Sequence, residues 1–246
     1  MPLKPEDIAA LERATLKAVP PPQMKAWRDW LLPMDHGTVG RARSAVPLRH
    51  DRPDPDDIAR IDGFYTKAGF EPWFRVPDDP SWQAVHQALD DRGFLRSKPT
   101  HVMTAPLAGL LSVPAVASCD LSAEPDEDWM ATYVGPGFDA EDGAHRARLM
   151  TRARGCLYAS VRMVGETQAV GMASLSEGWL GIHGMRTVPK ARGRGLASGI
   201  LRAMALKALE RRMHKAFLQV EASNQGAIAL YTRFGFRPAW TYAYWR

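Results

Sequence analysis

Cysteine is nearly absent from this chain: Cys119 and Cys156 are the only two in 246 residues, too few for a disulfide framework and set in no metal-binding spacing. Both read as reduced thiols of a cytoplasmic protein. The seven histidines are singletons without paired-ligand spacing, so no metal is expected. No stretch approaches the roughly 18 uninterrupted apolar residues of a membrane span, and no membrane association is expected. The longest segment free of Asp, Glu, Lys and Arg, Pro99 to Cys119, is broken by Pro106 and Pro114 and reads as strand, connector, strand. The N-terminus mixes charges with a helical spacing of Ile8, Leu11, Leu16 and Val19, which is not the apolar run of a signal peptide. The formal charge of +5 comes mostly from arginines scattered as Arg41/Arg43, Arg146/Arg148/Arg152/Arg154 and Arg192/Arg194. Without a nucleic-acid module around them, such scatter predicts no nucleic-acid partner.

What the chain does have is concentrated between Gly178 and Arg246. Trp179 to Val188 is apolar and β-compatible, and Pro189 ends it, because proline offers no amide to a ladder and pushes its predecessor to extended geometry. From Leu196 onward, Leu196, Ala197, Ile200, Leu201, Met204, Ala205, Ala208 and Leu209 fall on one helix face. The connection Lys190-Ala191-Arg192-Gly193-Arg194-Gly195 places two residues without Cβ and three cations at the helix start. Unpaired first-turn amides and the positive end of the helix dipole make this a candidate anion site, suited to a phosphate or pyrophosphate. The alternative is a glycine-rich turn with solvated cations. Ala216 to Glu221 then reads as a strand and Asn224 to Phe234 as a helix, with Gly235 suited to a left-handed cap over which Phe236 packs back.

Val188-Pro189, the loop Lys190 to Gly195 and Asn224-x-x-Ala227-x-x-Leu230-Tyr231-x-x-x-Gly235-Phe236 together resemble the GCN5-related N-acetyltransferase (GNAT) superfamily. Lys190 stands where that family usually has Gln or Arg. The resemblance implies an α/β (mixed α+β) fold with a central, mostly antiparallel mixed sheet flanked by helices. It also implies an acyl-CoA cosubstrate, with acetyl-CoA expected. By the same resemblance, the backbone of Met185, Arg186, Thr187 and Val188 holds the pantetheine, and the amides of Ala191 to Ala197, including Leu196, hold the pyrophosphate. Asn224 touches the cofactor arm, and Tyr231 protonates the departing thiolate. Glu177 and His183 are the leading candidates for the general base, with Glu221 a third. Trp129, Met130, Tyr133 and Phe138 are candidate walls of the acceptor pocket.

A repeat is visible too. Moving the second half back by 142 positions lays Val188-Pro189 on Val46-Pro47 and Gly235-Phe236 on Gly93-Phe94. Between these anchors lie helical patterns at Asp54 to Gly69 and Ser81 to Arg92, and strands at Trp73 to Val76 and Lys98 to Thr104. The chain therefore reads as a tandem of two GNAT-like halves, 1–110 and 115–246. The first carries Leu48-Arg49-His50-Asp51-Arg52-Pro53 where the second has its glycine loop, so no pyrophosphate is expected there. In the second half, Ala115 to Leu121 reads as a strand, Asp126 to Val134 and Glu141 to Arg154 as helices, and Cys156 to Leu175 as a hairpin turning at Gly165-Glu166.

These features predict direct acyl transfer through a ternary complex to a primary amine, either a small molecule or a peptidyl group. Two other classes stay open. One is a non-catalytic acyl-CoA-binding or regulatory protein. The other is an NAD-dependent oxidoreductase, suggested by Gly193-x-Gly195-x-x-Ser198 between a strand and a helix, although Ser198 stands where Gly or Ala is needed. Monomer and homodimer are not distinguished.

Overall fold

The computed structural model describes residues 3–136 and 139–246. In the first half, helix α1 (Pro5–Ala18) precedes β1 (Gln23–Trp27), β2 (Trp30–Met34), β3 (Ser44–Pro47), α2 (Asp56–Lys67), β4 (Trp73–Pro77), α3 (Gln83–Asp90) and β5 (Arg96–Pro106). Short helix α4 (Leu107–Ser112) leads to β6 (Asp120–Ser122), α5 (Glu127–Tyr133), α6 (Ala140–Arg152), β7 (Cys156–Met163), β8 (Glu166–Ser176) and β9 (Trp179–Thr187). Then come α7 (Leu196–Glu210), β10 (Lys215–Glu221), α8 (Gln225–Arg233) and β11 (Arg237–Trp245).

The strands form one eleven-stranded sheet in the order β1-β2-β3-β4-β11-β5-β10-β9-β8-β7-β6. Its centre is a reciprocal exchange. The last strand of the chain, β11, lies between β4 and β5, while β5 lies between β11 and β10, with all three contacts antiparallel. On either side of this seam the next contact outward is parallel, β4 with β3 and β10 with β9. The cores follow the exchange. Trp245 of β11 packs with Trp30, Tyr65, Phe74 and Trp82 of the first half. Met103 and Ala105 of β5 pack with Leu180, Ile200, Leu218 and Phe236 of the second.

Helix α1 straddles the seam. Arg75 on β4, fully buried, donates from both Nη atoms to Glu12 at 3.0 and 2.6 Å, and Leu11 and Ala14 pack on Trp179 and Phe217. At its ends, Asp7 pairs with Lys215 at 2.7 Å and Lys17 with Glu177 at 2.5 Å.

One sequence expectation needs correction. Pro99 to Cys119 is not strand, connector, strand: helix α4 follows Pro106, and the strand expected at Ala115 to Leu121 is only Asp120–Ser122. Residues 113–119 are drawn to α7 instead of to the sheet. The Val116 amide donates to Ser198 Oγ at 3.3 Å, and a Cβ on Gly199 would stand 2.5 Å from the Ala117 carbonyl oxygen.

Candidate active site

The site begins where two parallel strands part. The β9–β10 ladder runs from Trp179–Lys215 to Ile182–Leu218, after which β9 continues to Thr187 and β10 to Glu221 without further pairing to each other. At this point β9 also bulges. Its pairing with β8 advances three residues, from His183 to Arg186, against two on β8, and Gly184 sits at φ +58°, in the left-handed region. A bulge removes backbone groups from the ladder and re-aims the strand. The edge of Met185, Arg186 and Thr187 thus faces a cleft with no β10 partner.

Past Val188, a single 3-10 turn (Pro189–Ala191) leads into the glycine loop. Gly193 (φ +73°) and Gly195 (φ +76°) both take left-handed conformations, and a Cβ at Gly193 would meet nothing within 4 Å. Gly195 is the N-cap of α7 and brings no capping side chain. The run of amides expected from Ala191 to Ala197 is shorter than that, because the 3-10 turn uses the Ala191 amide on the Val188 carbonyl (2.9 Å) and the Arg192 amide on the Pro189 carbonyl (3.3 Å); among the described residues, the amides of Gly193, Arg194, Gly195, Leu196 and Ala197 donate no hydrogen bond to protein. Such a run of unpaired donors at a helix N-terminus fits a pyrophosphate. Of the loop cations, Lys190 pairs with Glu166 at 2.6 Å, while Arg192 and Arg194 are exposed.

A cavity of about 430 Å3 fills the cleft, lined among others by His183, Met185, Arg186, Glu221, Asn224 and Tyr231. Asn224 caps α8, its Oδ1 accepting from the Ala227 amide at 3.1 Å. The Tyr231 hydroxyl makes no hydrogen bond among the described residues, and burial pushes it up to about 12. Val188 lines a neighbouring cavity of about 330 Å3 together with Arg186, which donates to the carbonyls of Gly135 and Pro136.

The base candidates separate. Glu177 sits at the β8–β9 turn with φ +53°, tied to Lys17 and outside the cavity lining, because the start of β9 is the end remote from the cleft. His183 does line the cavity, with Nε2 at 2.9 Å from Ser174 Oγ, but burial first and Arg41 second hold its imidazole down to about 3. It is a neutral group over the working pH range. Glu221, exposed at the end of β10, has no side-chain partner among the described residues. Of the expected pocket walls, Tyr133 lines the cavity, whereas Trp129 is core, its Nε1 bonded to the Ala159 carbonyl at 3.0 Å. Met130 packs at the edge of that core, and Phe138 lies outside the described residues.

Sequence reasoning allowed the first half a part in shaping the acceptor pocket but did not single out the residue that reaches it. Arg41 lines this cavity and also a second one of about 180 Å3, shared through Arg41, Arg146, Gln219 and Glu221 and closed by Thr38, Trp73, Tyr242 and Tyr244. No local pattern marks Arg41. Gly184, an isolated glycine inside a strand pattern, was the available sign of the bulge.

In the first half, the stretch Leu48 to Pro53 carries no glycine loop. Arg49 is spent on Asp51 through bonds of 3.0 and 2.8 Å, and Asp54, Asp56 and Asp57 crowd the start of α2. Asp57 accepts from Trp30 Nε1 at 2.8 Å.

A splayed parallel pair, a bulge beside it and a bare helix N-terminus define an acyltransferase of the GNAT class. The chain belongs to the family described as "Probable histone acetyltransferase Rv0428c C-terminal", whose model matches residues 6–245. It is 25% identical over 238 residues to "Uncharacterized N-acetyltransferase YobR" of Bacillus subtilis (strain 168), covering 95% of this chain and 96% of that one. Its fold is similar to that of a GCN5-related N-acetyltransferase from Kribbella flavida (TM-score 0.71, 15% identity, 100% and 95% of the two chains). It is also similar to that of a tandem GNAT protein from the clavulanic acid biosynthesis pathway (TM-score 0.61, 14% identity, 100% and 96%). The dinucleotide-fold alternative does not fit a sheet in which, among the described residues, only β3–β4 and β9–β10 are parallel.

Proposed function

We propose that this chain transfers an acetyl group from acetyl-CoA to a primary amine in a ternary complex. The observation that carries this reading is the row of unpaired amides from Gly193 to Ala197 at the start of α7, a short loop beyond the free edge of β9, whose cleft Met185, Arg186 and Tyr231 line. The amides and Arg192 and Arg194 hold the pyrophosphate. The pantetheine lies along Met185 to Val188 as an added strand would, with Asn224 beside it.

The amine nitrogen attacks the thioester carbonyl, and the carbon–sulfur bond breaks as the tetrahedral oxyanion collapses. Tyr231 gives its proton to the departing sulfur, which a phenol held near 12 can do at any physiological pH. The proton lost by the nitrogen replaces it, so the products are the amide and coenzyme A thiol. Glu221 orients the ammonium before it is deprotonated. Neutralising a lysine-type amine at pH 7 costs about 4.6 kcal/mol and an α-amine only about 1, so an α-amine needs little help from a base.

We further propose that the halves 1–110 and 115–246 are two copies of one GNAT unit, of which the second keeps the cofactor loop. The first serves as a wall of the acceptor pocket through Arg41. The function is tested by binding of acetyl-CoA in a calorimeter together with thiol release on adding amines. Binding with release supports an enzyme; binding without release for any amine class leaves a regulatory acyl-CoA-binding protein, and no binding refutes both.

A further inference from the structure

The two cavities at the cleft carry an unusual charge pattern. The smaller one is lined by the cationic side chains of Arg41, Lys98, Arg146 and Arg246 against a single side-chain carboxylate, Glu221. Arg146 is partly compensated by Asp142, whose Oδ2 lies 2.7 Å from its Nε. Arg41 is not compensated. Half-buried on the 3-10 turn Gly40–Ala42, it has no hydrogen bond or ion pair among the described residues, although it lines both cavities. Its charge acts on His183, Tyr133 and Tyr242, which places the guanidinium between the cleft and the last strand.

Lys98 is a second, independent sign. It sits at φ +47°, a left-handed conformation that costs a residue with a Cβ roughly 1 kcal/mol, where β5 bulges against β11 between Ser97 and Thr100. Strain of this kind persists where a side chain must be aimed. The bulge adds a cation to the wall opposite Arg41's turn.

From these observations we infer that the acceptor is a small amine that also carries an anionic group, a carboxylate or a phosphate, with Arg41 as its principal anchor. The proposal rests on the reading of the cleft as an acetyl-transfer site and adds the acceptor's chemistry to it. An uncompensated guanidinium in a half-closed site presents a planar fork matched to the two oxygens of a carboxylate or phosphate. Glu221, at the edge shared by both cavities, takes the ammonium, so the two charges of the acceptor are read in opposite directions. A volume of about 180 Å3 is below the usual range for drug-sized ligands and suits a molecule the size of an amino acid. The same cations repel a lysine-rich polypeptide tail, whose ammonium groups would bring only like charge.

The test uses the full chain and matched acceptor pairs: the common amino acids against their carboxamides, O-phosphoethanolamine against ethanolamine, and a lysine-rich peptide. Acetyl-CoA binding is measured first, then thiol release. The expected result is that the anionic member of a pair has a kcat/KM at least tenfold above its neutral partner, the pair concerned telling carboxylate from phosphate. Arg41→Gln should lower that ratio at least tenfold, mainly through KM, and Arg41→Lys should restore part of it. Neutral amines or the lysine-rich peptide preferred throughout, or a preference that survives Arg41→Gln, would overturn the inference. So would the absence of turnover with every anionic amine in a protein that binds acetyl-CoA. Failure to bind acetyl-CoA would instead remove the reading of the cleft on which it stands.

Discussion

Tyr242 Oη donates to Gln219 Oε1 at 2.9 Å, although the two residues stand on β11 and β10, strands separated by β5. Gln219 Nε2 in turn donates to Thr15 Oγ1 of α1 at 3.0 Å. One polar chain thus joins the first helix, the strand at the cleft and the last strand, beneath the cavity where the acceptor is proposed to lie. Burial, with Tyr244 alongside, keeps the Tyr242 hydroxyl far above the usual phenol range, so it remains a donor. The floor of the site is therefore assembled from both ends of the sequence, which has consequences for cutting the chain.

A fragment of residues 115–246 loses β5 from between β10 and β11 and with it Met103 and Ala105 of the core. Neither 1–110 nor 115–246 should fold alone, because each would leave three strand edges without their partners. Co-expression of the two should restore soluble protein. Cooperative unfolding of the isolated 115–246 fragment, with acetyl-CoA binding intact, would disprove the dependence.

The ion pair between Arg75 and Glu12 is nearly water-free, and removing one partner strands a charge. Glu12→Gln should cost about 3–5 kcal/mol, whereas the joint Glu12→Leu, Arg75→Met replacement should be close to neutral. Urea denaturation of the three proteins measures the difference; equal losses for the single and the joint change would refute the stranded-charge account.

Gly193→Glu adds a carboxylate at an open position of the loop, with a left-handed cost of about 1–2 kcal/mol that the fold can carry. Acetyl-CoA affinity should drop roughly 100-fold, about 2.8 kcal/mol. Calorimetry reads it, and unchanged affinity would remove the pyrophosphate from this loop.

Tyr231→Phe should lower kcat roughly 100-fold, in the range of lost general-acid catalysis, with acetyl-CoA affinity held. Since the hydroxyl is held near 12, the pH profile of the native protein should rise to the acceptor's own pKa with no fall below about pH 10. Rapid-mixing kinetics with equal turnover for both proteins would return Tyr231 to the core.

His183 and His50 give a pH signature in stability. Burial lowers them to about 3 and about 4, below the 6.5 of an unfolded histidine. As pH falls from 6.5 through this window, the unfolded chain takes up protons that the folded one refuses, so stability declines by up to about 1.4 kcal/mol per pH unit for each. His183→Gln should flatten that slope between pH 6.5 and 4 in denaturation series; an unchanged slope would show that the imidazole is hydrated.

How much of this was legible in the sequence depends on the range of the interaction. Gly235 was legible because a left-handed helix cap is a local demand. Local helical and strand patterns placed α2, β4, α3 and β5 to within a few residues of their observed bounds. The exchange of β5 and β11 was not legible, since each carries the pattern of an ordinary closing strand and nothing local says which half it will join. Arg41 was hidden for the same reason. Glu177 was misplaced because a strand pattern does not tell which end lies at a cleft.

The most direct test of the central claim is a crystal structure with coenzyme A. The account predicts the pyrophosphate over the amides of Gly193 to Ala197 and the sulfur near the Tyr231 hydroxyl. Pyrophosphate density at Arg49 to Pro53, or no density at saturating coenzyme A, would contradict it.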